Sequence, residues 1–194
     1  AAGGQCGAPA PAAAEPAASA ATGRYLEEEL APPGPGTYER LLALLAAGGA
    51  EVAQLGPHAP CRTSEDAVRV RLEGGWEGTT LRSGAKAMLL RAQDGAWLLA
   101  VLPADRKLGW KKVRALRGKG TRMATEDEVR EVTGCLPGAV PPLAAAFPLA
   151  AECLADAALP AVINFNCGLR SRSIRMSRAD FERIQKPLVV DIAE

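Results

Sequence analysis

Gly84-Ala85-Lys86-Ala87-Met88-Leu89-Leu90 runs into Arg91-Ala92, then Gln93-Asp94-Gly95, then Ala96-Trp97-Leu98-Leu99-Ala100-Val101-Leu102. Two apolar runs, Ala87–Ala92 and Ala96–Leu102, flank an Asp-Gly turn, and that pattern predicts a β-hairpin. Lys86 sits inside the apolar stretch Gly84–Leu90, immediately before the first run. On a strand of alternating faces Lys86, Met88 and Leu90 share one side. If that side meets a cleft, the ammonium stands in apolar company, where burial lowers its pKa and its charge is available to a ligand. A surface lysine at the start of a strand is the alternative.

Outward from the hairpin, helices and strands mix without regular alternation. Helices are predicted over Tyr38–Ala47 with Thr37 as N-cap, from Thr63-Ser64-Glu65-Asp66 to about Leu72, over Trp110–Leu116, Thr125–Val132 and Arg178–Ile184. Strands are predicted at Glu51–Leu55, Val162–Asn166, Ser171–Met176 and Leu188–Asp191. The class is therefore α+β, with a central mixed β-sheet flanked by helices. Residues 1–36 are low-complexity Ala, Pro and Gly and read as a tail, disordered or docking; residues 37–194 read as one domain.

A second candidate element is Gly134-Cys135-Leu136-Pro137-Gly138-Ala139-Val140-Pro141-Pro142, with two glycines and three prolines in nine residues. Such a loop is stiff, and its glycines let backbone N–H groups approach a ligand and polarise a carbonyl. A rigid crossover without a ligand fits the same composition. The run Asp105–Arg122 carries Arg106, Lys107, Lys111, Lys112, Arg114, Arg117, Lys119 and Arg122 against one acid, with Trp110 among them. It fits either a phosphate backbone with a stacking ring or an ordinary solvated helix face. Arg170, Arg172, Arg175 and Arg178 are expected to extend the same surface. His58 lies in a loop three residues before Cys61, where a substrate contact and a structural hydrogen bond are both open; a Cys–His nucleophile has little support with Pro60 between them.

Composition narrows the function classes. The formal net charge is +1, so bulk electrostatics select neither DNA nor an anionic membrane. The five cysteines are scattered, no C-x-x-C occurs, and one histidine cannot complete a zinc site, so no metal or other cofactor is expected and the thiols point to a reducing compartment, cytosolic or organellar. No apolar run approaches the ~18 residues of a membrane span, and the Ala-rich start lacks the marks of a signal or transit peptide.

From Leu41 to about Asp191 the chain resembles the YbaK and prolyl-tRNA-synthetase-associated domain family, the aminoacyl-tRNA editing deacylases. The resemblance is carried by His58-Ala59-Pro60 with Thr63-Ser64-Glu65-Asp66, by Gly84–Leu90, by Val101–Leu108, by Ala124–Val129, by Thr133–Pro142 and by Ile163–Gly168. It implies hydrolysis of the ester of mischarged tRNA bearing a small amino acid (Ser, Thr, Ala or Cys), without a metal. Lys86 would organise substrate and the Gly138 backbone would lie beside the ester. His58, Met88, Ala139, Val140, Pro142, Asp156 and Gly168 would line the substrate pocket, with Arg106, Lys107, Lys111, Lys112 and Arg114 toward tRNA. Near-neutral charge implies weak intrinsic tRNA affinity and a helper such as a synthetase or a larger complex. Two departures stand out. Leu143-Ala144 replaces the Phe-Gly that commonly follows the loop, and the family's pocket Asp falls on Leu154, so either Asp156 takes that role through a shifted loop or the pocket carboxylate is absent. A catalytically silent subunit with a structural or tRNA-binding part is the second reading.

Overall fold

The computed structural model describes residues 36–194; the proposed tail lies almost wholly outside them. Among the described residues, five α-helices and eight strands follow in order, with a short 3-10 turn at Ala144–Ala146: α1 (Thr37–Ala47), β1 (Val52–Pro57), α2 (Ser64–Glu73), β2 (Ala85–Arg91), β3 (Trp97–Pro103), α3 (Trp110–Arg117), β4 (Arg122–Met123), α4 (Glu126–Thr133), β5 (Glu152–Asp156), β6 (Val162–Asn166), β7 (Arg172–Ser177), α5 (Arg178–Gln185) and β8 (Leu188–Val190). Among the described residues no helix is long and apolar enough to cross a membrane.

The hairpin forms as the alternation requires. β2 and β3 pair antiparallel from Ala85–Pro103 to Arg91–Trp97. Gly95 takes φ +87°, the Asp94 carboxylate accepts from Ala96 N, and Ala92 N donates to Ala96 O to close the turn. β3 lies at the centre of a mixed sheet ordered β4-β2-β3-β5-β8, antiparallel to β2 and parallel to β5. A strand covered on both faces should be a continuous apolar run, and Leu98 through Leu102 are fully buried. Leu99 and Val101 pack with Leu41, Ile163, Phe165, Ile174 and Phe181 in one core, while Leu98, Ala100 and Leu102 pack with Leu90, Leu154, Val113 and Ile192 in another. Each such fully buried aliphatic side chain contributes about 1.5–3 kcal/mol, so β3 alone anchors both halves.

A second, antiparallel sheet, β1-β7-β6, adds to the expected one. The two meet where Gly84 bridges Asn164, with Asn164 N donating to Ser83 O at 2.7 Å. β4 and β5 were not expected from periodicity: β4 has two residues, and Glu152–Asp156 shows no clean alternation because β5 is buried from Cys153 on.

Local chemistry places the helices. Thr63 caps α2 by accepting from Asp66 N, and Thr125 and Glu128 form a reciprocal capping box on α4. α1 departs from expectation: Gly36 is the N-cap and Thr37 the first helical residue. The Thr37 hydroxyl instead donates to Thr133 O, tying α1 to the end of α4.

Candidate active site

The loop that follows α4 is built around one turn. Ala139 N donates to Leu136 O at 2.9 Å, with Pro137 and Gly138 (φ +91°) in the middle, the residue types a type II turn demands. Both central peptide planes are held by side chains. Arg170 donates from Nε (3.0 Å) and Nη2 (2.7 Å) to Pro137 O, and Asn166 Nδ2 donates to Gly138 O at 2.7 Å. The Gly138 N–H lies on the opposite edge of the plane that Arg170 grips, and it makes no hydrogen bond among the described residues. A Cβ at Gly138 would stand 2.8 Å from Arg62 O, so only glycine fits without movement.

Beside this turn opens a cleft of about 300 Å³, walled by α2, the start of β2, the end of β6 and the loop. Lys86, Gly138 and Val140 all line it, so two elements distant in the chain meet on one hollow. Lys86 Nζ donates to Arg106 O at 2.7 Å. Burial lowers the ammonium's pKa, and the charges of Glu65 and Asp105 oppose the shift.

Other expected site residues stand elsewhere. Met88 packs against the second core, because the face it shares with Leu90 turns away from the cleft; only Lys86, at the strand's start, escapes that packing. Ala139 is fully buried and its carbonyl accepts from Gly168 N, so both support the loop from behind. Gly168 (φ +100°) is needed there because a Cβ would lie 2.9 Å from Tyr38 N. Pro142 is buried, its carbonyl facing the Cys153 thiol. His58 stands one layer back, with Nδ1 against Ala59 O and Nε2 2.7 Å from Ser173 Oγ; burial pushes its pKa down. It makes no pair with Cys61, whose Sγ turns to Asn166 and to Arg170 O.

Asp156 departs most from expectation. It is 1% exposed, and its carboxylate accepts from Ala158 N, Ile192 N and Ala193 N at 2.8–2.9 Å, pinning the C-terminal segment to the end of β5. Leu154 is in the second core. No carboxylate lines the cleft; its ionisable residues are Arg62, Arg71 and Lys86, all cationic.

The basic run is partly spent on the fold. Lys112 binds Asp191 and Ala193 O, Arg114 donates to Thr121 O and covers the Trp110 ring, Arg117 pairs with Glu152, and Arg122 with Glu128. Arg106, Lys107 and Lys111 remain exposed, and Arg106 adjoins Lys86. The second arginine cluster does not extend a basic face. Arg172 covers Tyr38, Arg175 bonds Asn164 and Thr79 under Trp76, and Arg178 binds Glu182 with two carbonyls.

Sequence reading missed Arg71, Asn166 and Ser173, which join in a buried network: Arg71 Nε to Ser173 Oγ, Arg71 Nη2 to Asn166 Oδ1, and Ser173 Oγ to Asn166 Oδ1. A signal existed. Arg71 falls on the inward stripe of α2 with Ala67 and Val70, and Asn164 and Asn166 share a face of a strand whose other members are apolar.

Comparison with known proteins bears on this arrangement. A family model, the aminoacyl-tRNA editing domain, matches residues 58–184. The chain is 31% identical over 162 residues to the multifunctional Ser/Thr-tRNA deacylase ProXp-y of Escherichia coli, covering 80% of this chain and 92% of that one. It is 31% identical over 100 residues to a proline–tRNA ligase of Nitrosomonas eutropha, where the match spans 51% of this chain and 17% of the ligase. Among solved structures, a hypothetical protein superposes with TM-score 0.70 at 24% identity over 80% of this chain and 100% of that one. A proposed trans-editing enzyme for prolyl tRNA synthetase does so with TM-score 0.67 at 22% identity over 83% and 99%; these two similarities speak to the fold.

Proposed function

Because the chain belongs to the aminoacyl-tRNA editing domain family, we propose that it hydrolyses the ester joining a small amino acid to mischarged tRNA, acting in trans as a proofreading deacylase of translation. The observation that carries the site assignment is the convergence of Lys86 and the Gly138 turn on one cleft of about 300 Å³. An aminoacyl ester is already activated, so holding it and polarising its carbonyl supply much of the catalysis. Lys86, at the mouth beside the exposed Arg106, meets the phosphate of the terminal nucleotide. The Gly138 N–H, aimed by Arg170's grip on Pro137 O, donates to the ester carbonyl oxygen. The oxygen of a water molecule adds to the carbonyl carbon. The tetrahedral intermediate then expels the ribose oxygen, which takes up the proton that the nucleophile releases.

Substrate choice follows from the same wall. Ala67, Ala85 and Ala87 leave space for a small side chain, and a larger one meets Phe165. Size alone discriminates by ~1–3 kcal/mol per methylene, so serine, threonine, alanine and cysteine all enter. The relationship to a proline–tRNA ligase supports delivery of tRNA by a synthetase, and the few uncommitted basic residues at the rim are in keeping with such help.

The test is deacylation of Ser-, Thr-, Ala- and Cys-tRNA by the wild type and Lys86→Ala. Turnover of at least one, reduced about 10-fold or more in the variant, is expected. Hydrolysis of none by the wild type would return the silent-subunit reading, and an unaffected variant would remove Lys86 from the site.

A further inference from the structure

Arg71 is the buried cation of the cleft. It leaves the inward face of α2 and is 3% exposed. Its two bonded nitrogens meet neutral acceptors, Nε on Ser173 Oγ and Nη2 on Asn166 Oδ1, each at 2.9 Å. It forms no ion pair among the described residues, and the cleft it lines holds no carboxylate. Nη1 has no hydrogen-bond partner there. Because none of the buried side-chain nitrogens or oxygens is both inaccessible and unpaired, Nη1 opens on the cleft.

A guanidinium desolvated without a counter-charge is costly, and truncating the two neutral tethers would free it to move to water. The fold keeps it in place instead. Burial lowers its pKa to about 10, so it stays charged at neutral pH. What this cleft lacks is negative charge. A seryl or threonyl ester brings none in its ground state, and its α-ammonium finds no acid here. The terminal phosphate is served at the mouth by Lys86, beside Arg62, which pairs with Glu126, and not at the floor. Negative charge reaches the floor only when the carbonyl is attacked. Asn166 connects the two candidate donors: its Oδ1 accepts from Arg71 while its Nδ2 donates to Gly138 O, placing guanidinium and turn on either side of one amide.

We infer that Arg71 is a catalytic residue of the deacylation proposed above, its Nη1 joining the Gly138 N–H as the second donor to the oxyanion of the tetrahedral intermediate. The C=O π pair moves onto that oxygen as the new C–O bond forms and returns as the ribose oxygen departs. The guanidinium exchanges no proton in the cycle.

The experiment is single-turnover deacylation of Ser-tRNA by the wild type, Arg71→Lys and Arg71→Met, with thermal melts to establish folding. Alongside it goes the affinity of each for tRNA carrying serine through a 3′-amide, which resists turnover. The chemical rate constant should fall about 100-fold in Arg71→Met and recover partly in Arg71→Lys, with amide affinity within about threefold. A folded Arg71→Met with wild-type rate, or one that loses amide affinity and keeps its bound-state rate, overturns the inference. Should neither variant fold, the wild type decides: a tetrahedral phosphonate analogue of seryl-adenosine should bind at least about 10-fold tighter than the neutral amide analogue, and equal binding overturns it. An inactive wild type would instead remove the deacylase reading on which this one rests.

Discussion

Gly138→Ala tests whether the turn is a catalytic element or a crossover. The new Cβ would lie 2.8 Å from Arg62 O and 3.2 Å from Arg62 Cα, both backbone atoms that no rotamer change can relieve. Ordinary contact requires the turn or the Arg62 backbone, in the link before α2, to move by roughly half an ångström, and both are walls of the cleft. To this clash is added the cost of an L-residue at φ +91°, so the total is about 2–4 kcal/mol. Gly49→Ala is the internal control. Gly49 has φ +60° with nothing within 4 Å of its Cβ, so it isolates backbone strain, about 1–2 kcal/mol, without a clash. Urea unfolding gives the stability difference, and Ser-tRNA deacylation under conditions where both variants are folded gives the rate. Displacing the donor by that distance should cost Gly138→Ala about 10-fold to 100-fold in rate and leave Gly49→Ala at the wild-type value. If Gly138→Ala is no less stable than the control and hydrolyses at the wild-type rate, the turn does not act on the ester.

Two further outcomes follow from groups outside the cleft. Asp156→Asn weakens a carboxylate that accepts three backbone N–H groups, so it should destabilise by about 1.5–3 kcal/mol and loosen residues 190–194 in hydrogen exchange, while activity per folded molecule stays unchanged; selective inactivation would return Asp156 to the reaction. His58 is held below its ordinary 6.5 by burial, so its folded state resists protonation more than the unfolded chain does. Its contribution is therefore intact above about pH 6.5 and declines as pH falls through the lower folded value; urea midpoints at pH 7.5 and 5.0 should show a smaller loss in His58→Gln, and equal losses would place the pH dependence elsewhere.

The hairpin, the α2 and α4 caps and the run of strands near β6 and β7 were legible because each is local: an Asp-Gly turn between apolar runs, a Thr followed by acids, a period of two. So were Lys86 and the Gly/Pro loop as a pair, through their residue types and their place in a resemblance. What was not legible is what depends on partners far along the chain. β5 hides in an alanine-rich stretch because it is parallel and buried, so no alternation marks it. Met88 follows Lys86 in register, but where the core ends along β2 is a tertiary fact, and it separates the two. Asp156 fits a family position in one dimension, yet the C-terminal segment folds back onto it, and the backbone N–H groups of Ile192 and Ala193, with that of Ala158, occupy both carboxylate oxygens.

The cleft arises where the two sheets part. The Gly84–Asn164 bridge joins the start of β2 to β6 beside the space that α2 and the 136–139 turn close over. Small side chains at Ala67, Ala85 and Ala87 keep it open, and Asn164 and Asn166 of β6 give it a polar wall. A hollow made this way has its donors on three separate elements, each braced: the 136–139 turn by Arg170 on Pro137 O and Asn166 on Gly138 O, α2 by Ser173 on Arg71, and β2 by Arg106 O on Lys86. Donors braced so need no reorganisation when charge appears on the substrate, which is the condition under which fixed dipoles lower a barrier most.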